Sequence, residues 1–145
     1  LLRKLCQKCK IKGKANEGEK EIIRQAVSDL PKVYRQELPE DLDVIYKPPP
    51  PETSCKECGG KAYKGRIAIF EILEMTDELE QIILAEISES KIRAEGKRQD
   101  MISMFQDGVI KVLKGITSLE ELLQVAQEGK VDAEAEEVKE VKNKQ

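Results

Sequence analysis

Apolar residues fall into short separate groups along the chain, and most repeat with the period of a helix. Ile22, Ile23, Ala26, Val27 and Leu30 recur at helical spacing behind Asn16, which can cap the first turn ahead of the acids at 17 and 19. Pro31 stops that helix. Residues 31–54 keep no period, although Val44-Ile45-Tyr46 allows a short strand, and the four prolines at 48–51 form a stiff extended approach to Cys55. The stretch 65–73 alternates instead. Ile67, Ile69, Glu71 and Leu73 share one face, and Ala68, Phe70 and Ile72 the other. Both faces are mainly apolar, so the predicted strand over 65–73 needs cover on both sides, and this chain supplies few neighbours for it.

Beyond Met75 the pattern turns helical. Thr76 or Asp77 caps a helix carrying Leu79, Ile82, Ile83 and Ile87, and Ser88 caps a second that holds Ile92 and is interrupted by Gly96. Met101, Met104, Phe105, Val109, Val112 and Leu113 mark a third, ended by Gly115. The methionines on it read as core. Thr117-Ser118-Leu119-Glu120 reads as a capping box for a fourth, with Leu122, Leu123 and Val125, ending near Gly129. Residues 130–145 are nearly all Ala, Val, Glu and Lys, the composition of a frayed helix or a disordered tail. The expected class is α+β and helix-rich.

Composition narrows this. Of 145 residues, 37% are charged and only 3% aromatic, with no Trp, so a large independent core is not expected and a staple such as a metal becomes plausible. The net charge of −3 gives no global case for nucleic acid. No run of 18 apolar residues offers a membrane span. The chain opens on Leu1 rather than Met, as a piece of a longer chain would.

The four cysteines come as two C-x-x-C pairs, Cys6 with Cys9 and Cys55 with Cys58, and the chain has no His. Two such turns can present four thiolates to one ion, the tetrahedral arrangement that structural zinc accepts. The 45 residues between the pairs are entropically tolerable. Gly59 and Gly60 can take positive φ and aim backbone N–H groups at sulfur. Lysines at 8, 10 and 56 would partly offset the −2 charge of a zinc tetrathiolate. Two disulfides, free thiols and thioredoxin-like redox use are the alternatives, of which the last needs a βα context that neither pair has. Residues 1–14 hold Arg3, Lys4, Lys8, Lys10, Lys12 and Lys14 and no acid. They form either a solvated basic surface or a docking contact for an acidic partner or anionic lipid. No phosphate loop is present, since no Gly-Lys pair is followed by Ser or Thr, and no Cys–His pair offers nucleophilic catalysis.

Cys55-x-x-Cys58-Gly59-Gly60, then Tyr63-Lys64-Gly65-Arg66 and the apolar stretch to Leu73, resembles the C-terminal region of the type II secretion and type IV pilus assembly ATPases. Asp107-Gly108-x-x-Lys111-Val112-x-x-Gly115-x-Thr117-Ser118-x-Glu120-Glu121 is similar to the same family's last helices. The resemblance runs from Leu1 to about Gln127. Asp100-Met101 departs from it where Gly-Met is common, and the proline run replaces a less rigid approach. The resemblance implies that 65–73 is a late strand of a RecA-like sheet and that 1–64 is a zinc-binding subdomain on its rim. Residues 65–129 would then be the late strand and C-terminal helices of the motor domain. It implies zinc on Cys6, Cys9, Cys55 and Cys58. It also implies a cytoplasmic homo-hexamer at the inner face of the bacterial inner membrane, peripheral to it, that engages platform proteins and no specific nucleic acid. ATP and Mg²⁺ would be held only by regions preceding Leu1, so no catalytic residue is assigned here and the chain alone should be inactive. A free-standing zinc adaptor for protein or nucleic acid is the alternative function; the few aromatics form no stacking platform for the latter.

Overall fold

The computed structural model of the chain describes residues 1–53, 55–85 and 87–125. Its first element is one the sequence gives little sign of. β1 (Leu2–Leu5) lies antiparallel to β4 (Tyr63–Ile67), with Leu2 opposite Ile67 and Leu5 opposite Tyr63. β2 (Ile11–Lys14) lies antiparallel to β3 (Val44–Lys47), which covers the short strand expected at 44–46. Each pair is its own two-stranded sheet, and these are the sheets among the described residues. Strands this short stand only when one face packs on something else. Leu2, Leu5 and Ile45 are accordingly buried.

The strand expected over 65–73 is displaced. It spans 63–67, and residues 68–76 have no regular secondary structure. The described pairing with β1 runs from Leu5 opposite Tyr63 to Leu2 opposite Ile67. The segment beyond is held by side chains instead. Phe70 N–H donates to Asp107 Oδ2 (2.8 Å), and Glu74 N–H to Gln99 Oε1 (2.9 Å). Gln99 Nε2 returns a bond to the Glu74 carbonyl (3.0 Å).

The helices follow their caps. α1 (Glu17–Ser28) begins in a reciprocal box in which Glu19 N–H donates to Asn16 Oδ1 (2.9 Å) and Asn16 N–H to Glu19 Oε2 (2.8 Å). A single turn, α2 (Lys32–Arg35), comes directly after Pro31. Thr76 Oγ1 accepts from Leu79 N–H at the start of α3 (Asp77–Ala85), so Thr76 is the cap. Ile87, expected on this helix's inner face, lies beyond its end and is exposed. α4 (Glu89–Arg98) starts at Ser88 as expected but runs through Gly96 rather than breaking there. α5 (Met104–Leu113) starts three residues later than its methionines suggest. Ser103 and Gln106 form the capping box, which leaves Met101 outside the helix. Gly115 ends this region with φ +68°, in the left-handed conformation glycine tolerates. The last described helix covers 119–125. Its cap is Ser118, whose Oγ accepts from Glu121 N–H (3.2 Å), while Thr117 Oγ1 donates to the Arg3 carbonyl (2.8 Å). The expected end near Gly129 and the tail at 130–145 lie outside the described residues.

One core gathers Leu2, Ala15, Ile23, Ala26 and Ile45 with Val109, Val112, Leu113, Leu119 and Leu122. It thus joins residues from both sides of position 64. A second, polar anchor lies at Glu95, which is 5% exposed. Its carboxylate accepts from Arg98 Nε (2.7 Å), Gln99 Nε2 (2.8 Å) and Thr76 Oγ1 (3.1 Å), tying α4 to the start of α3. Arg98 foremost, then Gln99, hold its pKa down to about 2. A depressed carboxylate stabilises the fold above its unfolded value and loses that contribution as pH falls through the folded one. Acid unfolding curves of the native chain and Glu95→Gln should therefore converge between pH ~4.5 and ~2. A constant gap across that window would show that Glu95 is not the titrating group.

Candidate metal centre

Cys6 sits just past the end of β1, and a hydrogen-bonded turn brings Cys9 back beneath it, with Cys9 N–H and Lys10 N–H both donating to the Cys6 carbonyl (3.3 and 3.0 Å). The second turn closes with a different set of bonds. Gly60 N–H donates to the Cys55 carbonyl (3.0 Å) and Lys61 N–H to that of Cys58 (3.3 Å). Gly59 and Gly60 have φ of +61° and +76°, which side-chain-bearing residues rarely adopt. The first turn closes without a glycine. A bond from Cys6 N–H to the Ala62 carbonyl (2.8 Å) joins the two turns.

The result is one cluster. All four Sγ atoms lie within 4.8 Å of one another, with Cys6 to Cys55 at 3.9 Å and Cys9 to Cys58 at 3.8 Å. All four are free cysteines, separated by far more than the ~2.05 Å of a disulfide bond. A tetrahedron with ~2.3 Å metal–sulfur bonds has edges of about 3.8 Å, so the spacing suits a thiophilic divalent ion. Electrostatics agree. Backbone N–H of Cys58 foremost lowers the Cys55 thiol to about 7, whereas burial, followed by bonds to the other three cysteines, pushes Cys9 up to about 12. A cation bound here would displace thiol protons, the usual coupling of metal binding to proton release. Four thiols on one tetrahedral ion would leave no position for substrate.

A latch beside this cluster escaped sequence reading. Arg3 donates from Nε to Glu121 Oε2 (2.8 Å) and from its backbone to Oε1 (3.0 Å), and its guanidinium stacks 4.4 Å from the Tyr63 ring centroid. Tyr63 Oη lies 2.8 Å from Ser118 Oγ. Leu5 N–H donates to the Ile116 carbonyl (2.8 Å). The latch clamps β1, and so Cys6, to the start of the last helix. Arg3 and Glu121 are 118 residues apart in sequence, which no local pattern signals. Lys10 is likewise turned inward, donating to the Gly115 carbonyl (2.8 Å) over the Tyr46 ring (4.2 Å). Of the six basic residues at 1–14, Arg3 and Lys10 are therefore engaged within the fold, while Lys8, Lys12 and Lys14 are exposed.

No helix of the described residues is long and apolar enough to cross a membrane. A family model described as type II/IV secretion system protein matches residues 1–124. The type IV pilus assembly ATPase PilB of Thermus thermophilus is 32% identical over 123 residues, covering 85% of this chain and 12% of that protein. The type IV pilus assembly ATPase TfpB of Acinetobacter baylyi is 33% identical over 130 residues, covering 86% and 19%. The type II secretion system ATPase E of Vibrio cholerae is 32% identical over 128 residues, covering 88% and 22%. The chain spans about a fifth or less of the length of these relatives. With the match running through both cysteine turns and the helices that latch onto them, the chain belongs to the type II/IV secretion system protein family.

Proposed function

We propose that the chain is the C-terminal part of a hexameric ATPase that powers type IV pilus assembly or type II secretion. Here it supplies a structural zinc centre and a contact for partner proteins of an inner-membrane platform. The observation that carries this reading is the family match over residues 1–124, together with relatives whose names are those of ATPases of these two machines. Zinc on Cys6, Cys9, Cys55 and Cys58 is supported by the tetrahedral spacing of the thiols. Residues 1–64 then act as the metal subdomain and 65–129 as the late strand and closing helices of the motor. The working place is the cytoplasmic face of the inner membrane.

Residues 68–73 support a position in a larger, RecA-like sheet. Phe70 is 58% and Ile72 71% exposed, although both are strand-formers. Side-chain clamps hold the edge facing α4 and α5, whereas the backbone of residues 69, 71 and 73 meets no hydrogen-bond partner among the described residues. Such an edge accepts a neighbouring strand.

The chain carries no phosphate loop, so ATP chemistry in this reading belongs to the remainder of the protein. Protein made from the longer reading frame should hydrolyse ATP, and the 145-residue chain should neither hydrolyse nor bind it. Saturable nucleotide binding by the isolated chain at micromolar concentration would overturn the proposal, as would a longer frame without a phosphate loop.

A further inference from the structure

Charge is divided unevenly over this chain. Residues 1–14 and 55–66 together hold ten Lys and Arg and one acid, Glu57, in a chain of net charge −3. These two segments therefore sum to +9, against −12 for the rest. The fold draws the two segments together. Lys8 and Lys56 stand inside the two cysteine turns, and Lys61 N–H is bonded to the Cys58 carbonyl. Lys4 lies along Gly65, its Cε 3.1 Å from where a Cβ would stand. Lys64 pairs with Glu57, which stands inside the second cysteine turn. Arg66 lies directly across from Arg3 in the β1–β4 pair.

Stability alone disfavours this arrangement. Like charges opposite each other in a sheet repel. Arg3 is neutralised by Glu121 and Lys64 by Glu57, but Lys4, Lys8, Lys56, Lys61 and Arg66 have no acidic partner among the described residues. Four thiolates around a divalent ion carry −2, which leaves a clear positive excess. The surface lacks what two other anionic partners need. Lys10 and Arg3 each cover one face of the Tyr46 and Tyr63 rings, which competes with base stacking there. No large apolar side chain is exposed between 55 and 66, and in 1–14 only Leu1 and Ile11 are, which is not the broad apolar face that enters a bilayer.

We infer that the basic rim around the cysteine cluster is a docking surface for an acidic segment of a partner protein. This gives a chemistry to the docking role proposed above and does not depend on ATP use, so the nucleotide test and this one fail separately. The probe is a fluorescein-labelled deca-glutamate peptide, titrated with the 145-residue chain and read by anisotropy. Binding should be clear at ~25 mM salt and weaker at ~150 mM, as the Debye length shortens. Lys61→Gln with Arg66→Gln should weaken it about tenfold, since exposed charge contacts contribute a few-fold each. Lys32→Gln with Lys97→Gln, on α2 and α4, should change it less than about twofold. The inference is overturned if the peptide does not bind at low salt or if both double variants lose affinity equally. It is also overturned if phosphatidylglycerol vesicles or a single-stranded oligonucleotide bind more tightly than the peptide.

Discussion

Purified under reducing conditions, the chain should carry about one zinc, and removing it should unfold the two cysteine turns before anything else. Structural zinc contributes on the order of 10 kcal/mol to small zinc-binding peptides. This chain has its own core, so the loss on chelation is smaller than complete unfolding. A metal held at roughly a thousand times its Kd contributes about 4 kcal/mol. For a domain of this size that corresponds to a fall of roughly 10–20 °C in Tm. Cys55→Ser should reproduce the fall without chelator, because it removes one of the four clustered thiols. Hydrogen exchange locates the damage. Amides of residues 2–14 and 55–67 should lose protection first. α5 should lose it in part, since Val109 and Val112 share a core with Leu2 and Ile45. α3 and α4 should hold, being tied to each other through Glu95, Thr76 and Arg98 rather than through the cysteine turns. Exchange that rises evenly everywhere would mean that the metal holds the whole chain. Four thiols found in disulfides, with no metal, would remove the zinc proposal altogether.

The cysteine cluster was legible because C-x-x-C is a local pattern, and the absence of His left only thiols to pair. The helices were legible where caps are local as well, as at Asn16 with Glu19 or Ser88. Errors arose where a distant residue decides. Ile67 to Leu73 alternates well enough for a strand, but beyond Ile67 side chains of Asp107 and Gln99, far off in sequence, take the backbone bonds of Phe70 and Glu74. Nothing in Leu2-Arg3-Lys4-Leu5 marks a strand until Glu121 and Tyr63 hold Arg3 in place. Thr117 and Ser118 both suit a cap. Ser118 takes that role because Thr117 is drawn to the Arg3 carbonyl. A count of basic residues at 1–14 suggested six projecting charges. Tyr46 and the Gly115 carbonyl turn one of them inward, and no reading of sequence spacing brings Lys10 to position 115.

Two helical glycines should respond oppositely to the same substitution. In solvent, Gly→Ala inside a helix gains about 1 kcal/mol, because alanine has less backbone freedom to lose. Gly96 and Gly108 are both buried inside helices, α4 and α5, so propensity treats them alike. Their neighbours differ. A Cβ on Gly96 would stand 2.8 Å from Met101 Cε, the free end of a flexible side chain that can swing away. Gly96→Ala should be neutral or mildly stabilising. A Cβ on Gly108 would stand far too close to Leu122 Cδ1 and 3.1 Å from Cδ2. Leu122 is fully buried, and retreat would push it into the core that holds Val109, Leu113 and Leu119. Overpacking of this kind costs about 1–3 kcal/mol, which exceeds the gain in propensity over most of that range. Gly108→Ala should therefore lower stability, and a double-mutant cycle identifies the cause. Leu122→Ala alone leaves a cavity and should cost about 2–5 kcal/mol. In Gly108→Ala with Leu122→Ala the new methyl occupies space the leucine vacated, so the double variant should lose less than the sum of the two single losses. Strict additivity in denaturant unfolding would show that the loss at Gly108 does not come from the close approach of α5 to the last helix.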